Sequence, residues 1–190
     1  MRYRALCVSL LFVLGCAGRA ARPSDPIPND HPAGSPSRDE LRLRLAEQRR
    51  LQIARLHDYV AAGEFPRRRV ARHLPVDVLI DDDGHLSAIA ALMEQAGEGA
   101  LIRLTAAHSS TLHLADVKDG PLLDWIFGSG LTREEVALVQ MPYVYDSRDR
   151  LVEHFVRIEA RLVAETDASL DAAVDQLMAR QAWQARLAQR

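Results

Sequence analysis

Apolar residues recur at helical spacing along most of this chain. Between Asp39 and Ala62, Leu45, Ile53, Leu56 and Val60 fall on one face of a helix, and Gly63 offers a left-handed stop. Ser87 to Gln95 predicts a second helix, ended near Gly97, and "ALIRLTAA" continues in helical register. Pro121 suits the first turn of a helix carrying Leu122, Leu123, Trp125, Ile126 and Phe127, which Gly128-Ser129-Gly130 ends. Thr132-Arg133-Glu134-Glu135 has the form of a capping box, opening a helix that closes near Pro142. Two further stripes, Leu151/Phe155/Ile158/Leu162 and Leu170/Val174/Leu177/Met178 with Trp183 beyond, predict a terminal helical pair. Thr166-Asp167 and Ser169 are the candidates for the break between them.

Two stretches alternate instead. Val76, Val78 and Ile80 suit a short strand before the Asp83-Gly84 turn, and "STLHLADV" could pair with it. The expected fold is therefore mainly α, a helical domain with at most a small two-stranded β-ribbon. Residues 39–143 form its core, and the helical pair within 144–190 packs back on it.

The opening of the chain has a different pattern. Arg2 and Arg4 precede an apolar run from Ala5 to Gly15, and the polar, proline-bearing "AGRAARPSDP" follows Cys16. A charged start, a short apolar run and a small residue at the cut describe a secretory signal. The run falls short of the roughly 20 apolar residues needed to cross a bilayer. Val13-Leu14-Gly15-Cys16 resembles the lipobox of bacterial lipoproteins. That resemblance implies that residues 1–15 are removed, that Cys16 is acylated, and that two or more chains anchor the protein stably. Ala17 after the cysteine points, by the same resemblance, to the outer membrane. Residues 16–38 then read as the lipidated cysteine and a Pro-rich spacer too poor in apolar residues to fold by itself.

Composition narrows the chemistry. Cys7 and Cys16 are the two cysteines, so acylation at Cys16 would leave no thiol for a disulfide, zinc knuckle or nucleophile. Net charge is −2 for the whole chain, without the basic excess expected of a nucleic-acid binder. Arg42, Arg44, Arg49, Arg50 and Arg55 read as mostly a solvated helix face rather than a phosphate-binding strip.

Three central segments, "GEFP", "PVDVLIDDDGHLSAIAALMEQAGEG" and "PLLDWIFGSGLTREEVALVQMPY", resemble an uncharacterised family of exported bacterial proteins. That family's pattern is Cys-Ala-Val-Gly-x-Leu, then Ser-Gly-Leu-Thr-x-x-Glu, then Gln-Pro-x-Tyr, and the likeness spans roughly residues 49–143. Here Ser87 stands for the cysteine, Ala90 for the glycine, and the ending is Gln140-Met141-Pro142-Tyr143. A role resting on the family cysteine would be lost in this chain.

No reactive constellation emerges from spacing. An EF-hand frame with Gly84 at position six puts Leu79 at one and Ala90 at twelve, neither a side-chain ligand. Asp81-Asp82-Asp83 thus reads as a solvated acidic turn. His31, His57, His73, His85, His108, His113 and His154 include no His-x-x-x-His pair, and Gly128-Ser129-Gly130 is not a nucleophile elbow. An acid/base pair could be drawn from Glu64, Asp81, Asp83 or Glu94 only if folding brought two together. The sequence thus predicts no catalytic, cofactor or metal residue, and lipidation at Cys16 is its one site. The expectation is an envelope lipoprotein, anchored in the membrane and binding an envelope protein or cell-wall component without catalysis. The alternative is an envelope hydrolase acting on peptidoglycan or a similar polymer.

Overall fold

The structure is a computed structural model that describes residues 36–67, 74–109 and 111–188. Its helices are α1 (Arg38–Ala62), α2 (Ala88–Gln95), α3 (Gly99–His108), α4 (Gly120–Gly128), α5 (Arg133–Val139), α6 (Arg148–Ala164) and α7 (Thr166–Leu187), with a 3₁₀ turn at Leu114–Asp116. The fold is mainly α. The signal, the lipidation at Cys16 and nearly all of the expected spacer lie outside the described residues. The exception is the spacer's end, because Ser37 already caps α1 and Arg38 is helical.

Local chemistry explains where the helices start and stop. Ser37 accepts from the Glu40 amide and Glu40 answers at the Ser37 amide, a reciprocal box that satisfies two orphan donors. Thr132 and Glu135 repeat the device at α5. Gly63 ends α1 at φ 66°, a conformation that costs glycine little. Between α6 and α7 the chain departs from helical geometry only at Glu165. Thr166 and Ser169 do not cap that break. The Thr166 hydroxyl donates back to the Leu162 and Val163 carbonyls at 3.0 and 2.9 Å, and Ser169 is buried within α7.

Helices α6 and α7 run antiparallel to α1 along its length. Arg148 reaches the Ala62 carbonyl at one end, and Arg42 pairs with Asp167 and Asp171 at 3.1 Å toward the other. Beneath the Arg42 contacts lies a small core of Leu41, Leu45, Leu170, Ala173 and Val174. The larger core joins the second half of α1 to α2, α4, α5 and α6. At one end of it an aromatic cluster forms. Phe65 and Phe155 stack at 5.6 Å, with Tyr59 edge-on to both and Tyr143 edge-on to Phe155. Such pairs contribute about 0.5–1.5 kcal/mol each beyond their buried area.

Two expectations need correcting. Among the described residues no ribbon forms between 76–80 and 111–117. Val76 bridges to Tyr143 and Ile80 to Leu86, both isolated antiparallel bridges, and the described residues contain no strand. The Gln140 carboxamide takes the place of strand pairing, accepting from the Leu114 amide at 2.6 Å and donating to the Leu112 carbonyl. The second correction concerns Arg49, which is not solvated but 1% exposed and forked onto Glu135. Arg42, Arg44 and Arg50 do keep to the surface side of α1.

A half-buried imidazole gives a pH dependence. His154 packs edge-on against Phe155, and its Nε2 is buried without a partner among the described residues. Burial, then the nearby Arg157 charge, lowers its pKa below the ordinary 6.5. A histidine with a depressed folded pKa stays neutral when the unfolded chain already takes up a proton, so stability falls as pH drops below about 6.5. Thermal melts between pH 7 and 5 should show this decline, and His154→Phe should flatten it. An unchanged slope in the variant would remove His154 as its source.

Candidate functional site

Apolar spacing on α1 is interrupted between Leu45 and Leu56 by polar residues that the core accepts on opposite sides. Arg49 faces α5 and α6, while Gln48 and Gln52, one turn apart on the same face, meet α4 and the turn after α2. A cleft of about 470 Å³ lies there, lined by Gln48, Gln52, Glu98, Asp124, Trp125 and Ser129, with Ala96, Leu101, Pro121 and Gly128 completing its walls. Each wall has a local cause. Gly97 at φ 91° reverses the chain after α2 and brings Glu98 to the start of α3. Pro121 in the first turn of α4 fixes the entry of the helix that carries Asp124 and Trp125.

The side chains of the cleft differ in how far they are engaged. Gln52 is 1% exposed, and its Oε1 has no hydrogen-bond partner among the described residues. Leaving such a group unpaired costs about 1–3 kcal/mol. Asp124 is held from α7 by Arg180 Nε at 3.1 Å and Gln184 Nε2 at 3.3 Å, although its side chain remains 51% exposed. The Ser129 hydroxyl is occupied, donating to the Ile126 carbonyl at 2.7 Å and accepting from the Leu131 amide. Trp125 is half-buried and packs against the main core.

The acidic turn after residue 80 is a different kind of cluster. Asp81 is not solvated, since its side chain is 3% exposed. Its carboxylate accepts from the amides of Arg67, Asp83 and His85 at 3.0, 2.9 and 2.8 Å, and pairs with His85 Nδ1 at 3.0 Å. Burial alone would raise this carboxyl, but those donors outweigh it and hold it below its usual range. Asp81, Asp83 and His85 offer ligand atoms within 4.8 Å of one another. Both Asp81 oxygens already face N–H donors, whose partial positive charge opposes a cation at the same atoms. The cluster is therefore built to fix a turn.

The remaining sequence candidates are scattered. Ser87 caps α2, its hydroxyl accepting from the Ala90 amide at 3.3 Å, and Ala90 is fully buried. Glu94 pairs with Arg103 at 3.2 Å, and Glu64 is exposed. Of the four carboxylates considered for acid/base work, folding brings together Asp81 and Asp83 within one turn. His57 meets Glu159 at 3.3 Å across α1 and α6, whereas His108 bonds the Leu104 carbonyl of its own helix. His31 and His73 lie outside the described residues.

Spacing gave no warning of Gln48, Gln52, Glu98 or Asp124, and Trp125 read simply as core. The available signal was the pair of glutamines four apart, placed where an apolar stripe should have continued. No helix among the described residues is long and apolar enough to cross a membrane. No protein-family model, curated protein or solved structure matches this chain.

Proposed function

We propose that this chain is a lipid-anchored protein of the bacterial cell envelope, held in the outer membrane by acylated Cys16, and that its helical domain is a non-catalytic binding module. The seam at Val13-Leu14-Gly15-Cys16 carries the reading, with a charged, apolar segment before it and a proline-rich one after it. The likeness to an exported family over roughly residues 49–143 supports export. The binding half rests on the α1–α4 cleft, whose buried carboxamide oxygen lacks a donor among the described residues.

Mass spectrometry of the native chain tests the anchor. The expected mature N-terminus is Cys16 carrying a thioether diacylglycerol and an amide-linked acyl chain, and Cys16→Ala should leave the precursor uncut. An unmodified, freely diffusing chain that keeps Met1 would overturn it. Fractionation of the two membranes places the anchor, and recovery in the inner membrane would refute the outer-membrane assignment.

A second reading, an envelope hydrolase acting on peptidoglycan or a similar polymer, draws on the His57–Glu159 pair. The pair borders a hollow of about 310 Å³ that also includes Arg148 and Asp149. His57 is 68% exposed there, and no hydroxyl or thiol side chain is among the described residues of that lining. Release of soluble wall fragments by the purified protein, abolished by His57→Ala, would replace the binding module with this activity.

A further inference from the structure

The cleft between α1 and α4 carries the reading further, to a class of ligand. We propose that it binds a neutral saccharide of one or two rings, an inference that rests on the binding-module reading and names its ligand.

Size allows it, because about 470 Å³ lies within the roughly 300–1,000 Å³ of small-molecule sites. Chemistry then selects among ligands. Gln48 and Gln52 each offer donors and an acceptor, Glu98 and Asp124 offer acceptors, and Trp125 offers an apolar slab with one N–H. A sugar hydroxyl both donates and accepts, so vicinal hydroxyls can bridge a carboxamide and a carboxylate. The C–H face of the ring can pack on an indole, and Leu101, Pro121 and Ala96 continue that apolar side.

Charge argues against the other classes. Among the described residues no Lys, Arg or His lines the cleft, so a phosphate or carboxylate would meet Glu98 and Asp124 without a counter-ion. Arg180 is engaged with Asp124 from α7 and is 12% exposed at its side chain. That same pairing offsets the Asp124 charge and lowers the attraction for a cation. A quaternary ammonium also has no donor for the Gln52 oxygen. Rotation about χ3 of Gln52, a soft torsion, presents either amide atom to an occupant at the floor of the cleft.

The test titrates the purified full chain with di-N-acetylchitobiose and cellobiose as neutral probes, glucuronate as the anion and choline as the cation. Binding is read by calorimetry and by tryptophan fluorescence in a Trp183→Phe background, where Trp125 alone reports. The expected result is saturable binding of a neutral disaccharide, with neither ion competing. Gln52→Leu and Glu98→Ala should each weaken it about tenfold or more. Gln52→Leu should keep or raise the melting temperature, since it removes a buried oxygen without a partner, and Glu98→Ala lies at the rim, where folding is not at stake. Failure of every neutral sugar to saturate would overturn the inference, and so would variants that bind as the parent does or a cleft that takes choline instead. A cleft that holds only ordered water gives the first of these results. These outcomes leave the anchor at Cys16 untouched. Crosslinked capture of an envelope partner, unaffected by Gln52→Leu, would keep the binding module while removing the sugar.

Discussion

Glu135→Ala is expected to destabilise the domain by about 3–5 kcal/mol, the cost of leaving one partner of a buried ion pair alone. Arg49 reaches Glu135 through two parallel bonds of 2.7 Å, with side chains 1% and 8% exposed. The same guanidinium donates to the Leu162 carbonyl at 2.6 Å and the Gly130 carbonyl at 3.3 Å, so it joins α1, α6 and the turn before α5. Removing the carboxylate leaves a buried cation with the Gly130 and Leu162 carbonyls and the Thr166 hydroxyl, and no counter-charge. It also removes the acceptor at the Thr132 amide, one half of the α5 cap. In melting temperature the loss should be roughly 6–20 °C for a domain of this size. The paired change Arg49→Met with Glu135→Leu should restore most of it, because an apolar pair in such a place is often neutral or better. A single variant that melts with the parent would show that the pair contributes little.

The pair also has an acid signature. Burial would raise the Glu135 carboxyl, but its bonds to Arg49 and the Thr132 amide hold it below the ordinary 4.5. For a depressed carboxylate the stabilisation is present above the unfolded value and is lost as pH falls through the folded one. Glu135 and Asp81 should therefore act below about pH 4.5, apart from the His154 effect at higher pH. The double variant Arg49→Met/Glu135→Leu should blunt the lower limb and leave the upper one.

Gly130→Ala is the second large effect, expected at about 2–5 kcal/mol from backbone strain and overpacking together. Gly130 sits at φ 79°, and a Cβ there would lie 2.5 Å from the Arg49 amide nitrogen and closer still to the Leu45 carbonyl oxygen. Both obstacles are backbone of α1, so no side chain can swing aside. Gly97→Ala is the control. Its φ is 91°, yet nothing lies within 4 Å of the added carbon, so only the conformational cost of about 1–2 kcal/mol remains. Equal losses at the two glycines, measured by chemical denaturation, would contradict the close approach of α1 to the turn. A loss at Gly130 that Arg49→Met abolishes would locate the obstacle in the Arg49 side chain instead.

These two positions belong to the "SGLTREE" stretch, which in sequence reads as a helix stop followed by a capping box. Folding gives five of its seven residues a packing or capping task. The Ser129 hydroxyl ties the end of α4, Gly130 admits α1, Leu131 is buried, Thr132 caps α5, and Glu135 holds Arg49. The "GEFP" and "QMPY" segments behave alike. Phe65 and Tyr143 meet around Phe155, and Gln140 clamps the loop at Leu112 and Leu114. In this chain such short segments mark how helices of distant sequence fit together.

Helices, some of their caps and most of their stops were legible because each depends on neighbours within four residues. The box at Thr132 and the left-handed Gly63 are both of that kind. The apolar stripes were legible for the same reason, and the seam at Cys16 is read from adjacent residues alone. Tertiary structure decided what links residues far apart in the chain. It buried Arg49 against a carboxylate 86 positions away, paired Val76 with Tyr143 in place of a ribbon, and drew Asp81 out of solvent. It also opened the cleft where Gln52 faces Trp125's helix. A residue's own type fixes its local preferences, but its partner in a buried contact depends on how whole helices dock, and single-chain periodicity holds no record of that.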